Sequence, residues 1–369
     1  PRPPLEDPGG APPPQTPDEG ERTVVERLRD RLDRLRLAED AEAPPPVRAS
    51  GGAPPSWLRG RPCPLDQSRC VQRLHMCDTE LLAPFELLPP QLAVMERSLR
   101  ACERRQVALL ESPTGTGKSV ALLTATLAWQ RRTFAAQGAA PQILYGVRTH
   151  AQLAQMVAEL QKTPYRPRMA VIGSREHLCV NEAVRAAARR QRVSLDLGCR
   201  QAARRAVRLG LHGPPQGQSG PEAECACQAY ARLGSPPHAE RVFERCGREG
   251  LLWDVEDLLG LSGTGGGAGC PYYTAHVLAG GADLVFCPHN YVLDPAVSQC
   301  RTHHRARWSL EGRVVVVDEA HNLEQGCRDA GSLRATLAEL RSLSAALAAL
   351  PTRHPHLRAC PRGRCLPCR

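Results

Sequence analysis

The 369 residues carry 48 Lys and Arg against 38 Asp and Glu, a formal net charge of +10 with His neutral, and 42% hydrophobic residues. A chain of this length can bury two or three cores, and its basic balance favours a polyanionic partner, nucleic acid first, over a neutral metabolite. It contains no apolar run of about 18 residues, and the opening PRPPLEDPGGAPPP lacks a charged-then-apolar leader; membrane insertion and secretion are therefore not expected, and the sixteen cysteines read as reduced thiols or metal ligands.

Residues 1–78 read as a disordered, linker-like arm rich in Pro, Gly and charge. Within it Val25, Leu28, Leu32 and Leu35 fall at 3-4-3 spacing, the seam of a short amphipathic helix. Cys63, Cys70 and Cys77 lack metal-type pairing and read as ordinary thiols. From Phe85 the texture changes: PQLAVMERSLRAC predicts a helix, VALLES a strand, and Lys118–Arg132 a helix opened by a glycine-rich turn. QILYGV, MAVIG, ADLVFC and VVVVDE are short, nearly continuous apolar runs, the signature of strands covered on both faces of a parallel sheet. The expected class is α/β, doubly wound, in two parts (79–174 and 273–327) around an insertion (175–272), followed by a helical segment over 328–369.

ESPTGTGKS places Ser112, Thr114, Gly115, Thr116, Gly117, Lys118 and Ser119 in a P-loop, where backbone N–H groups turn inward around phosphate at a helix N-terminus. Lys118 is expected on the β and γ phosphates and the Ser119 hydroxyl on Mg²⁺. Ser112 stands where the general pattern has glycine. About 200 residues later VVVVDEAHN delivers Asp318 and Glu319 at the end of an apolar strand, the place for a Mg²⁺-binding acid and a carboxylate that polarises water, with His321 to couple nucleotide state to neighbouring elements. The two motifs together predict ATP binding.

ESPTGTGKS, RTHAQL, GSREHLC, CPYYTA, NYVLD and VVVVDEAHN, in this order between Pro84 and Glu324, resemble the XPD-like iron-sulfur branch of superfamily 2 DNA helicases. PQLAVM, the GKS ending and CPYYTAHVLAGGADLVFCPHNYVLD look most like the Fanconi anaemia group J branch, with the telomere-elongation regulator and ChlR-type branches close. The resemblance implies a RecA-like lobe interrupted by an iron-sulfur insertion, the start of a helical arch domain, and ATP-dependent 5′ to 3′ movement on single-stranded and forked DNA, in the nucleus, among DNA-repair proteins. It puts Gln91 where the family recognises adenine, and Arg148, Thr149 and His150 in the block that follows the DNA backbone. His289 in CPHNY replaces the family's usual tyrosine. Nothing after Asn322 resembles the second motor lobe or its γ-phosphate arginine, so the chain reads as the front half of such a motor. The alternative is a degenerate form that binds ATP and DNA without unwinding.

By the same resemblance Cys179, Cys199, Cys227 and Cys270 match four ligands of a [4Fe-4S] cluster, for which four thiolates must converge. Their spacings alone do not choose between that cluster and zinc, and Cys225 competes with Cys227 as third ligand. Cys246 reads as a non-ligand. Eight arginines against four acids lie between Cys179 and Cys227, a basic surface able to track phosphates. Tyr272 and Tyr273 either stack on bases or pack beside the cluster. CPRGRCLPCR, with Cys360, Cys365 and Cys368 near His354 and His356, reads as a truncated end sooner than a zinc site.

Overall fold

A computed structural model describes residues 62–113, 115–191, 195–209, 226–234, 251–263, 269–294 and 310–332, with isolated helical positions 337, 340, 341 and 344. The Val25–Leu35 seam, Thr114, Cys225, Cys246 and the CPRGRCLPCR end lie outside the described residues.

The first paired element is a hairpin of Gln72–Met76 (β1) and Thr79–Ala83 (β2), antiparallel with Met76 opposite Thr79. Cys77 and Asp78 form its two-residue turn at φ 48° and 56°, the double positive φ that matches the twist of a tight hairpin. Leu81, Leu82 and Ala83 are buried, and the Leu82 N–H donates to the Tyr165 hydroxyl at 3.1 Å. The expected arm over 1–78 is corrected from residue 62 onward: Cys63 is already buried and β1 begins at Gln72, because alternating Gln-Arg-Leu-His-Met has one face to put against a core.

Pro89–Arg104 (α1) starts on two prolines, which suit a first turn that needs no N–H donors, and ends at Arg105 in the left-handed region. The stretch after it corrects a second expectation. VALLES forms no strand; Val107 and Leu109 are 101% and 88% exposed, since an apolar run becomes a strand only where a ladder partner meets it, and none does among the described residues. Lys118–Gln137 (α2) runs from Gly117 to Gly138, both left-handed, and is buried through Val120–Gln130 save Leu122.

Ile143–Val147 (β3), Met169–Val171 (β4), Leu284–Pro288 (β5) and Val314–Val317 (β6) make one parallel sheet in the order β4-β5-β3-β6. Ile143 is in register with Leu284 on one side and Val314 on the other. The first three strands are wholly buried, while β6 is only half covered, with Val315 36% exposed. His150–Lys162 (α3) carries the chain from β3 toward β4.

Between β4 and β5 come Arg175–Leu178 (α4), Glu182–Gln191 (α5), Leu195–Arg208 (α6), Gln228–Ala231 (α7), Val255–Gly263 (α8) and Pro271–Ala279 (α9). Small residues let α5 and α6 approach: a Cβ on Gly198 would meet Val184 Cγ1 at 3.6 Å and Ala188 Cβ at 3.8 Å. Asn290–Leu293 (α10) follows β5, and β6 leads through a 3-10 turn at Ala320–Asn322 into Leu323–Gly331 (α11). Every element above falls in one compact unit ending at Ser332.

Candidate nucleotide site and cysteine pocket

The parallel register brings the two phosphate motifs together at the carboxyl ends of the strands. Ser119 Oγ, in the first turn of α2, donates to Asp318 Oδ2 at 3.1 Å across 199 residues of sequence. Asp318 is held from four further directions, one through its own N–H, which donates to the Gly146 carbonyl at 3.0 Å. The Tyr145 hydroxyl donates to the same Oδ2 at 3.1 Å, the Glu319 N–H donates to Oδ1 at 3.0 Å, and His289 Nε2 meets the Asp318 carbonyl at 3.0 Å. Burial, and then the Asp318 charge, pushes the Tyr145 phenol well above its ordinary range, so it stays a neutral donor. Burial also lowers His289, which as neutral imidazole gives its Nε2 proton to that carbonyl.

The loop is internally bonded. Lys118 Nζ donates to the Ser112 and Pro113 carbonyls at 2.7 and 3.3 Å. Ser112 Oγ, standing where the general pattern has glycine, bonds Thr116 Oγ1 at 2.7 Å, and Thr116 donates on to the Pro113 carbonyl at 2.8 Å. The non-glycine residue is thus used as a brace across the turn. Gly115 and Gly117 take φ 76° and 73°. A Cβ on Gly117 would lie 2.4 Å from Gln91 Nε2, so the buried Gln91 touches the loop itself, while its Oε1 accepts the Leu88 N–H at 2.8 Å. Glu319 follows Asp318 at φ 52°, and His321 lies exposed with Nδ1 3.4 Å from Glu319 Oε2.

Of the three residues expected along the DNA backbone, two have local duties. Thr149 Oγ1 accepts the Gln152 N–H at 3.3 Å, and Gln152 Oε1 accepts the Arg148 and Thr149 N–H groups at 3.0 Å each, a capping box that starts α3. His150 stacks on His177 with ring centroids 3.8 Å apart, and its Nε2 accepts the Ser174 N–H at 3.4 Å. The Arg148 side chain is exposed.

Cys179, Cys199, Cys227 and Cys270 line one cavity together with Arg175, Asn181 and Tyr272. Cys227 is N-terminal to α7 and its N–H donates to the Ala202 carbonyl at 3.1 Å; Cys270 opens α9 and its N–H donates to the Ala229 carbonyl at 2.8 Å. Burial raises the Cys179 thiol to about 11 and pushes Cys227 and Cys270 up as well, with the neighbouring sulfurs adding to the Cys270 shift. Among the described residues no three His, Cys, Asp or Glu side chains form a group that could hold a metal ion. Arg175 lies 4.0 Å over the Tyr272 ring and pairs with Asp196, which pairs with Arg200 too. Tyr272 and Tyr273 are buried, edge-on to each other at 5.2 Å, so they pack beside the cysteines. On the outer faces of α5 and α6, Arg190, Arg204 and Arg208 are exposed, whereas Arg185 and Arg189 pair with Glu182.

Two contributors escaped the sequence reading. Tyr145 is the one hydroxyl inside an otherwise apolar strand run, a signal that was there to be used. His289 stood out as an unusual residue, but its partner did not.

The DEAD_2 family profile matches residues 145–340. A regulator of telomere elongation helicase 1 homolog from Arabidopsis thaliana is 33% identical over 68% of this chain and 24% of its own length; the Bos taurus regulator of telomere elongation helicase 1 is 33% identical over 69% and 21%. The chain spans about a quarter of the length of these curated relatives. A solved XPD helicase chain aligns over 65% of this chain and 34% of its own, with 16% identity and a TM-score of 0.38, too distant a likeness to argue from. With more than half of its residues inside the profile and a parallel α/β sheet that joins its two phosphate motifs, the chain belongs to the DEAD_2 family, that of the XPD-like superfamily 2 helicases.

Proposed function

We propose that this chain carries the ATP-hydrolysing half of a DNA helicase that moves 5′ to 3′ on single-stranded and forked DNA, in the nucleus and in the service of genome maintenance. The observation that carries the reading is the 3.1 Å contact between Ser119 and Asp318. Two hard oxygen donors at the end of a P-loop helix and of an acidic strand suit Mg²⁺, which when bound would neutralise charge on the transferring phosphoryl group. Lys118 and the loop N–H groups bind the phosphates, Ser119 and Asp318 hold the metal, Glu319 orients and polarises water, and Gln91 abuts the loop beside the base. Arg148, with Arg190, Arg204 and Arg208, offers positive charge to the DNA backbone.

The four cysteines are read as ligands of a [4Fe-4S] cluster in the insertion, a reading supported by their lining a common cavity. Cys227 lines that cavity, which supports it as third ligand, while Cys225 lies outside the described residues. Zinc without iron or sulfide in anaerobically purified protein would sink this assignment. The group J preference within the family rests on motif texture alone, since the relatives reported above carry the telomere-elongation regulator's name.

The decisive experiment is ATP turnover with and without single-stranded DNA, for wild type and Lys118→Ala. DNA-stimulated turnover that the substitution abolishes is expected; turnover indifferent to Lys118 would overturn the reading. A second reading, a module that binds ATP and DNA without unwinding, is favoured by the exposed Val107 and Leu109, which leave the loop without a paired strand leading into it among the described residues. Nucleotide and DNA binding with no DNA-dependent turnover would select it.

A further inference from the structure

Asp318 has more holders than the two phosphate motifs supply. We propose that Tyr145, a residue to which neither motif assigns a part, is the positioning residue for the metal-binding carboxylate, aiming Asp318 Oδ2 toward the Ser119 hydroxyl. The inference rests on the reading of Ser119 and Asp318 as metal ligands and deepens it.

Tyr145 sits in the middle of β3, directly opposite Val316 in the neighbouring β6, so the strand register fixes how far its side chain is from the end of β6. Its ring is fully buried and is braced edge-on by Phe286 of β5 at 5.6 Å. The hydroxyl emerges from that apolar sheet face and donates to Asp318 Oδ2 at 3.1 Å, the same oxygen that Ser119 Oγ reaches at 3.1 Å. A buried hydroxyl keeps its free energy low only by keeping a partner, so the bond persists as long as the sheet does. The other carboxylate oxygen is taken by the Glu319 N–H at 3.0 Å. Between them the two bonds fix the rotation of the carboxylate plane; the Ser119 hydroxyl fills the other lone pair of Oδ2, the one a cation between Ser119 and Asp318 would take over once that hydroxyl turns its own oxygen to the metal. Outer partners of this kind, one bond removed from the ion, orient a ligand that would otherwise sample several rotamers.

The test is Mn²⁺ binding to the full chain in the presence of a non-hydrolysable ATP analogue, read by loss of the free-ion electron paramagnetic resonance signal. Tyr145→Phe keeps the ring and its packing on Phe286 and removes only the hydroxyl. It should weaken Mn²⁺ binding about 10-fold, at the lower end of outer-partner effects, while leaving metal-free nucleotide affinity unchanged. Phe286→Leu disturbs the same packing without touching the hydroxyl and should lower thermal stability with no change in the Mn²⁺ constant. An unchanged constant in Tyr145→Phe, or an equal loss in Phe286→Leu, overturns the proposal. Asp318→Ala separates it from the reading beneath: if Asp318→Ala binds Mn²⁺ like wild type, the ligand assignment itself has failed, whereas loss in Asp318→Ala with no loss in Tyr145→Phe defeats Tyr145 alone.

Discussion

His289 lies across the top of Gly146 and donates from Nε2 to the Asp318 carbonyl at 3.0 Å, tying the end of β5 to the end of β6 over the strand between them. A Cβ on Gly146 would come within 3.3 Å of His289 Cδ2, close enough that the ring would have to give by a few tenths of an ångström. The ring is buried, and replacing it with Phe leaves a carbonyl that has lost its donor. His289→Phe is expected to cost about 1–2 kcal/mol in urea unfolding, and His289→Gln, which restores a donor, to recover part of it. Equal stability in wild type and His289→Phe would show that the bond carries no weight.

Asp196 serves two guanidinium groups whose side chains are each only 11% exposed, Arg175 and Arg200, while it is itself 25% exposed. Removing one carboxylate therefore takes the ion-pair partner from two guanidinium groups, one of which, Arg175, lines the cysteine cavity. Breaking a largely buried pair from one side costs more than the pair contributes, so Asp196→Ala should lower stability by about 3 kcal/mol. Arg200→Met leaves Asp196 still paired with Arg175 and should cost far less; denaturant midpoints for the two variants decide the ranking.

His150 makes stability depend on pH. Burial first, and then the facing His177, lowers the His150 pKa, with Glu176 pulling weakly the other way. A folded value below the unfolded one means the unfolded chain takes up the proton first. His150 therefore contributes stability that is present above the ordinary histidine range and is lost as pH falls through the folded value. One such group can supply a slope of no more than about 1.4 kcal/mol per pH unit. His150→Gln keeps an acceptor for the Ser174 N–H and should flatten the slope of unfolding free energy from about pH 7 to about pH 5; an unaltered slope would refute the assignment.

The strands of the sheet were legible because ILYGV, MAV, LVFCP and VVVV are apolar on both faces, and their burial bears the reading out except at β6, which is covered on one side only. The hairpin was missed although Gln72–Met76 alternates cleanly, because a Cys-Asp turn lacks the usual Asn-Gly or Asp-Gly signature and the stretch follows a Pro-rich arm. VALLES had strand composition and met no partner among the described residues, a fact that belongs to tertiary structure and not to the six residues. At the site, Ser119 and Asp318 could be paired from their motifs. Tyr145 and His289 could not, since each finds Asp318 only through the register of neighbouring strands, which single-sequence periodicity does not encode.

Glu319 occupies a backbone conformation, φ 52° and ψ 46°, that glycine adopts freely and a branched or charged residue adopts at a cost of about 1 kcal/mol. Glycine at this position would take the same angles without that cost and should raise stability. Under the proposed role of its carboxylate, Glu319 is therefore a place where loss of the group that polarises water and gain of robustness arrive in the same substitution.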